Sequence, residues 1–177
     1  MVSIDEIKNI IRMEYPDVDI KKIERKDFIF EERVKQKCFH CKNYNLKWTC
    51  PPKRPNLDWS KIFDEYGNLA ILICKVPLNG TNLKEQREFS TNRIHRALLY
   101  LETELYKRNN SLALSFIGGS CKLCKNGCNK ERCVNPYLSR IPLEATGCNV
   151  VSTLKNIGID VKFPVTDYLY RYGLFLW

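Results

Sequence analysis

The sequence predicts an α/β or α+β fold: a mixed sheet with a β-α-β core flanked by helices, and two metal-binding loops at one edge of the sheet. Three observations predict it. Leu69 to Val76 is a continuous apolar run ended by Pro77, the pattern of a strand buried on both faces. Leu83 to Lys107 places Ile94, Leu98, Leu101 and Leu105 on one face of a long helix. Leu112 to Ile117 is a second buried strand, and Gly118-Gly119 then turns the chain. Strand, helix and strand in that order predict parallel pairing through a right-handed crossover. Ligands of such sheets sit beyond the carboxyl ends of the strands.

The remaining elements follow from local signals. Ser3-x-x-Glu6 is a capping box, and Ile4, Ile7, Ile10 and Ile11 share a helical face, so a helix is expected over 4–14 and must stop before Pro16. Residues 19–24 and 27–35 read as short strands. Asp58 is placed to cap a helix over 59–66 that Gly67 closes. A last helix is expected over 149–157, ending at Gly158, and strands over 159–163 and 171–177.

With 177 residues, 44% of them apolar, the chain can bury a core without help from metals, and it is expected to be a single iron–sulfur-binding domain over 1–177. No apolar run approaches the roughly 20 residues of a membrane span. The start of the sequence has no basic-then-apolar secretory pattern. A cytoplasmic protein without a membrane role is the expectation. In a reducing compartment, nine cysteines, an odd number, read as metal-binding or catalytic rather than as a disulfide framework.

Seven of the nine cysteines form two tight clusters. The second is Cys121-x2-Cys124-x3-Cys128-x4-Cys133 with Pro136 close behind. Four thiolates within thirteen residues can converge on one centre, and the short all-cysteine steps suit an iron–sulfur cluster. The run is close in style to bacterial ferredoxin loops, with longer spacings. Gly118, Gly119 and Gly127 allow turns that aim backbone amides at sulfide. Zinc is the alternative, although its sites usually bring two ligand pairs across a longer spacer, often with histidine. The first cluster is Cys38-x2-Cys41-x8-Cys50, followed by Pro51-Pro52. It supplies three ligands where a cubane takes four. His40 sits awkwardly between two ligands. Cys74, inside an apolar strand, reads as a small core residue. Cys148, near a helix start, is the better candidate for a fourth ligand or a reactive thiol. The remaining alternative is an open iron, free to bind a small ligand and act as a Lewis acid.

Around these residues the sequence is basic. The formal net charge is +9, and residues 20–61 hold twelve Lys and Arg against five Asp and Glu. Positive charge beside an anionic cluster stabilises its reduced form and can steer an acidic partner. A phosphate-binding loop, a G-x-G-x-x-G and an H-E-x-x-H are all missing. His40 and His95 alone make a histidine-based hydrolase unattractive. His95 is expected to pack or lie on the surface. Arg140 and Glu144 have the i, i+4 spacing of an ordinary ion pair, with Glu144 also a candidate acid/base group. Aromatic residues near the first cluster (Phe39, Tyr44, Trp48) can shield it or simply pack. No recognised nucleic-acid motif accompanies them, which disfavours an RNA partner.

The stretch Lys37-Cys38-x2-Cys41-x2-Tyr44-x3-Trp48-Thr49-Cys50-Pro51-Pro52 resembles an uncharacterised family of small cysteine-rich predicted metal-binding proteins, a domain of unknown function largely from anaerobic archaea and bacteria. The second half resembles it too: Gly118-Gly119-Ser120-Cys121-x2-Cys124-x3-Cys128, Cys133-x2-Pro136, then Pro142-x-Glu144-Ala145-x-Gly147-x-Asn149-Val150. The resemblance covers nearly the whole chain and implies two metal sites using the seven clustered cysteines. Cys148 stands where the family usually has an apolar residue, which weakens it as an obligatory ligand and favours an open iron.

The functional expectation is a protein with two [4Fe-4S] clusters that transfers electrons to a redox protein partner. The first alternative is an enzyme whose open iron at the three-cysteine cluster takes a small-molecule ligand in a sulfur-handling or reductive reaction. The second is a zinc-bearing RNA- or protein-binding module.

Overall fold

The computed structural model describes residues 2–78, 82–161 and 163–177. In chain order its elements are helix α1 (Ile4–Glu14), strand β1 (Val18–Ile23), helices α2 (Glu32–Phe39) and α3 (Trp59–Asp64), strand β2 (Leu69–Pro77), helix α4 (Leu83–Tyr106), strand β3 (Leu114–Ile117), helix α5 (Val150–Asn156) and strand β4 (Tyr168–Leu176). Short 3-10 turns cover Arg25–Asp27 and Leu143–Thr146. The class is α+β, with helices packed on a four-stranded sheet.

The strands lie in the order β1-β2-β4-β3, and each neighbouring pair is antiparallel. This corrects the expected parallel pairing within the β-α-β unit. β2 and β3 do run in the same direction, but β4 lies between them and hydrogen-bonds to both. The apolar end of β4 suits its central place: Leu174, Phe175 and Leu176 are fully buried, Phe175 in the core on one face and Leu174 and Leu176 in the core on the other. That placement depends on segments distant in sequence, so the local pattern of 69–117 does not reveal it.

Side chains alternate along β2 between two cores. Ala70, Leu72, Cys74 and Val76 pack with α1 and with Ile94, Ala97, Leu98, Leu101 and Leu105 of α4. Leu69 and Ile71 face a second core built from Phe28, Trp59, Phe63, Phe116, Leu143, Cys148 and Leu154. Both faces are therefore dry, which is why the β2 sequence is apolar throughout. A side chain at Gly173 would put its Cβ 2.7 Å from Ile94 and Leu98, so glycine there lets α4 lie close on β4.

Most predicted elements form at the expected places. The Ser3 capping box is made, with the Ser3 amide donating to Glu6 Oε2 at 2.7 Å. Asp58 caps α3 and Asn149 caps α5. Two strands need correction. Residues 27–35 do not form one strand: only the region of Phe30 is extended, bridging to Cys148, and α2 begins at Glu32. The apolar alternation of Phe28 and Phe30 suggested a longer strand. The next residues, Glu32-Arg33-Val34-Lys35-Gln36-Lys37, are mostly strong helix formers with no large apolar side chain to bury in a sheet. The strand expected over 159–163 is also not found among the described residues, and Lys162 lies outside them.

Candidate metal centre

The first cysteine loop starts from a helix end rather than from a strand. Cys38 occupies the last turn of α2, and successive tight turns carry the chain to Cys50: the Cys41 amide donates to the Cys38 carbonyl at 3.1 Å, Tyr44 to Cys41 at 2.9 Å, and Cys50 to Lys47 at 3.1 Å. The Asn45 amide closes the loop on the Pro51 carbonyl at 2.9 Å. Folded this way, Cys38, Cys41 and Cys50 line one cavity of about 250 Å³. Its other walls come from Tyr44 and Pro51 and, across the chain, from Gly119, Ser120, Pro142 and Glu144.

The cavity wall is mostly apolar, and burial works against charge on its thiols until a cation or Arg54 offsets it. Burial pushes the Cys50 thiol up to about 11, and the nearby Cys41 and Cys38 add to the effect. Cys38 is likewise raised by burial first, then by Cys41 and Glu144. Arg54 is close enough to act on both Cys38 and Cys50, and its Nε is buried without a hydrogen-bond partner among the described residues. The Thr49 hydroxyl is also buried; it eases the Cys50 thiol slightly but stands outside hydrogen-bond geometry to any partner. Three thiols lining one cavity beside a guanidinium with an idle buried N–H are a donor set that can hold a cation core once metal displaces the thiol protons.

The second loop leaves the carboxyl end of β3. Gly118 is pressed against the Tyr172 carbonyl, and Gly119 has a φ of +76°, so neither position accepts a side chain without strain. Cys121 is buried, while Cys124, Cys128 and Cys133 are half-buried further along. Burial raises Cys121, and Cys128 and Cys124 contribute to the rise. Gly127, with a φ of +85°, donates to the Cys124 carbonyl at 3.2 Å, and Asn135 Nδ2 donates to Cys124 Sγ at 3.3 Å. From α4, His95 Nε2 lies 2.7 Å from the Leu138 carbonyl and so anchors the end of the loop.

The two loops touch. Lys47 Nζ donates to the Cys121 carbonyl at 2.6 Å, and Trp48 Nε1 donates to the Asn129 carbonyl at 2.8 Å. Trp48 is thus a tie between loops rather than a wall of the thiol cavity. Phe39 is exposed and packs edge-on against Tyr44, with centroids 5.1 Å apart.

Glu144 differs from its expected role. Arg140 pairs with Glu102 of α4, its Nε 2.8 Å from Glu102 Oε1, rather than with Glu144. Glu144 instead turns inward and accepts the Gly119 amide at 3.2 Å on each carboxylate oxygen. Protein surrounds it, yet it keeps some solvent access through the cavity it lines, and burial raises its pKa against the pull of its own amide, Gly119 and Arg171. The two remaining cysteines stand apart from the three-thiol cavity. Cys74 is packed between the sheet and α4. Cys148 is fully buried, with its sulfur 3.5 Å from Thr153 Oγ1. His40 is exposed at the end of α2.

Among the described residues, no three His, Cys, Asp or Glu side chains are grouped so that they could hold a metal ion. Tetrahedral zinc at about 2.3 Å from each sulfur needs thiolates about 3.8 Å apart. A polynuclear cluster holds its cysteines farther apart, around a core that itself needs room. The donor set and the cavity, rather than a closed ion cage, carry the metal argument. Arg54 and the Gly119–Glu144 contact come together only through the fold, with no local sequence pattern joining them. The basic run around the first cluster was the only signal pointing to Arg54.

Among families of known sequence, the one described as predicted metal-binding protein (DUF2284) matches residues 21–177. No curated protein matches the chain. No solved structure matches it either.

Proposed function

The chain belongs to this family of predicted metal-binding proteins, and from that premise we propose that it is a two-cluster iron–sulfur protein that binds a small molecule at its three-cysteine centre. Cys121, Cys124, Cys128 and Cys133 would hold one [4Fe-4S] cluster. Cys38, Cys41 and Cys50 would hold the other, leaving one iron to an exogenous ligand. The observation that carries this reading is the cavity ringed by the three thiols and walled by Glu144. Among the described residues, three cysteines line this cavity and no fourth one does, so a cubane held there would leave one iron without a cysteine ligand, which favours the ligand-binding alternative over the simple carrier.

When bound, the open centre supplies Lewis-acid and one-electron chemistry. The chain's own residues do the rest. Glu144, fixed by the Gly119 amide, presents a carboxyl oxygen to the cavity, where it can hydrogen-bond a ligand or hold a proton for it. Tyr44 and Pro51 keep one side of the cavity apolar. Arg54 offsets negative charge at Cys38 and Cys50. Contact between the loops through Lys47 and Trp48 favours electron exchange between the centres, so electron transfer remains part of the reading.

Protein purified anaerobically is expected to contain about eight irons and eight acid-labile sulfides. Cys38→Ser should remove about half of both. Added cyanide should alter the electron paramagnetic resonance signal of one centre only. Stoichiometric zinc with negligible iron would overturn the reading and restore the zinc-module alternative. Iron and sulfide at full load with no response to cyanide would leave an electron carrier.

A further inference from the structure

A second cavity, about 710 Å³, adjoins the thiol cavity and shares Asn43, Gly119, Ser120 and Glu144 with it. Its volume falls within the range of small-molecule sites. Four cationic side chains reach it from four elements: Arg87 from α4, Arg171 from β4, and Lys42 and Lys122 from the two cysteine loops. Among the described residues, none of the four lies within ion-pair distance of a carboxylate. Arg171 is half-buried, and its Nε is buried with no hydrogen-bond partner among the described residues. The hydroxyl of Tyr172, also on the cavity wall and buried, lacks a partner too.

The wall carries acids as well. Glu144 is already engaged with the Gly119 amide. Asp160 and Asp167 line the cavity but are not among the charges acting most strongly on Arg171, which are Arg87 and Glu144. Two guanidinium groups that repel each other on the wall of one cavity, one with an idle buried N–H, are stabilised by an anion between them. A carboxylate or phosphate satisfies such a pair through charge-assisted, bidentate hydrogen bonds. Tyr168, Leu169 and Tyr170 offer apolar surface to the body of the same ligand.

We propose that this cavity binds a small-molecule oxyanion, its carboxylate or phosphate group held between Arg87 and Arg171 and its body extending toward the thiol cavity. The two arginines that hold the anion stand on α4 and β4, outside the cysteine loops, so the proposal goes beyond the metal reading and does not depend on it.

The test is calorimetric titration of anaerobically purified, metal-containing protein with inorganic phosphate and, separately, with benzoate, at ionic strength fixed with chloride. One of the two probes should bind saturably, and the comparison tells phosphate from carboxylate. Arg171→Gln and Arg87→Gln should each weaken that binding by about tenfold or more. Arg87 is exposed, so its variant remains informative if Arg171→Gln folds poorly. Lys107→Gln, at the end of α4 and paired with Glu104, should leave binding unchanged. If neither probe saturates, or if Lys107→Gln weakens binding as much as the arginine variants do, the proposal is wrong. Iron and sulfide measured on the same samples report on the metal reading separately: anion binding without iron sinks that reading alone, and iron without anion binding sinks this one alone.

Discussion

At the scale of single residues, cysteine chemistry turns on surroundings. Cys148 and Cys74 are nearly inaccessible, and burial pushes their thiols up to about 12 and about 11. Such thiols stay neutral and unreactive at physiological pH. Burial raises Cys38, Cys50 and Cys121 as well, but each of them lies near other thiols, where a cation core would offset the cost of their charge. Cys148→Ala and Cys74→Ala should therefore keep the full iron load and lose about 1 kcal/mol of stability each, the usual result of removing a buried atom without a void large enough to restructure. Metal analysis and denaturant unfolding under argon check this. If Cys148→Ala strips half the iron, the first centre is closed by a fourth cysteine and the open position does not exist. The sequence separated the clustered cysteines from the other two by spacing alone. It could not place Glu144, because the Gly119 amide that draws this side chain inward is distant in sequence.

At the scale of elements, α4 connects the core to the second loop. His95 is fully buried in the helix, and its Nε2 meets the Leu138 carbonyl. Burial lowers its pKa, opposed in part by that hydrogen bond and assisted by the charge of Arg140. Above the ordinary histidine value of about 6.5, folded and unfolded chains both carry it neutral. Below that value the unfolded chain takes up a proton that the folded chain refuses, so stability falls with pH until the lowered folded pKa is reached, by at most about 1.4 kcal/mol per pH unit. His95→Phe should cost roughly 1 kcal/mol at pH 7.5 through the lost hydrogen bond, and should flatten the slope just below pH 6.5. Parallel stability–pH curves for variant and wild type would show that His95 does not carry that slope. The same helix shows what was legible. Its length and buried face follow from a repeat within the element, as do α1 with its Ser3 cap and the apolar run of β2. The helix α2 was not legible, because Phe28 and Phe30 advertise a strand just before the helix-forming run from Glu32. The insertion of β4 between β2 and β3 was not legible either, since it is decided by which strand is buried on both faces.

At the scale of the whole molecule, two kinds of stabilisation divide the chain. The sheet carries a dry core on each face, built from side chains that need no cofactor. The cysteine loops, by contrast, are held by single turns, by the His95–Leu138 contact at the end of the second loop, and by two inter-loop contacts, Lys47 to Cys121 and Trp48 to Asn129. If clusters are present, their binding energy is concentrated in these loops, and regions with few buried apolar contacts open first. Removing metal with chelator and oxidant under controlled conditions, followed by reduction, should leave the strand amides of β2 and β4 protected from hydrogen exchange. Amides between Cys38 and Arg54 and between Cys121 and Ser139 should lose protection by an order of magnitude or more. Because the loops contact each other, Cys124→Ser should loosen the segment around Lys47 and Trp48 as well as its own loop. Loss of protection spread evenly over sheet and loops would mean that the metal holds the whole fold together, as in a small metal-stapled domain. Protection unchanged everywhere would mean that the loops are rigid without metal, and the clustered thiols would then need another explanation.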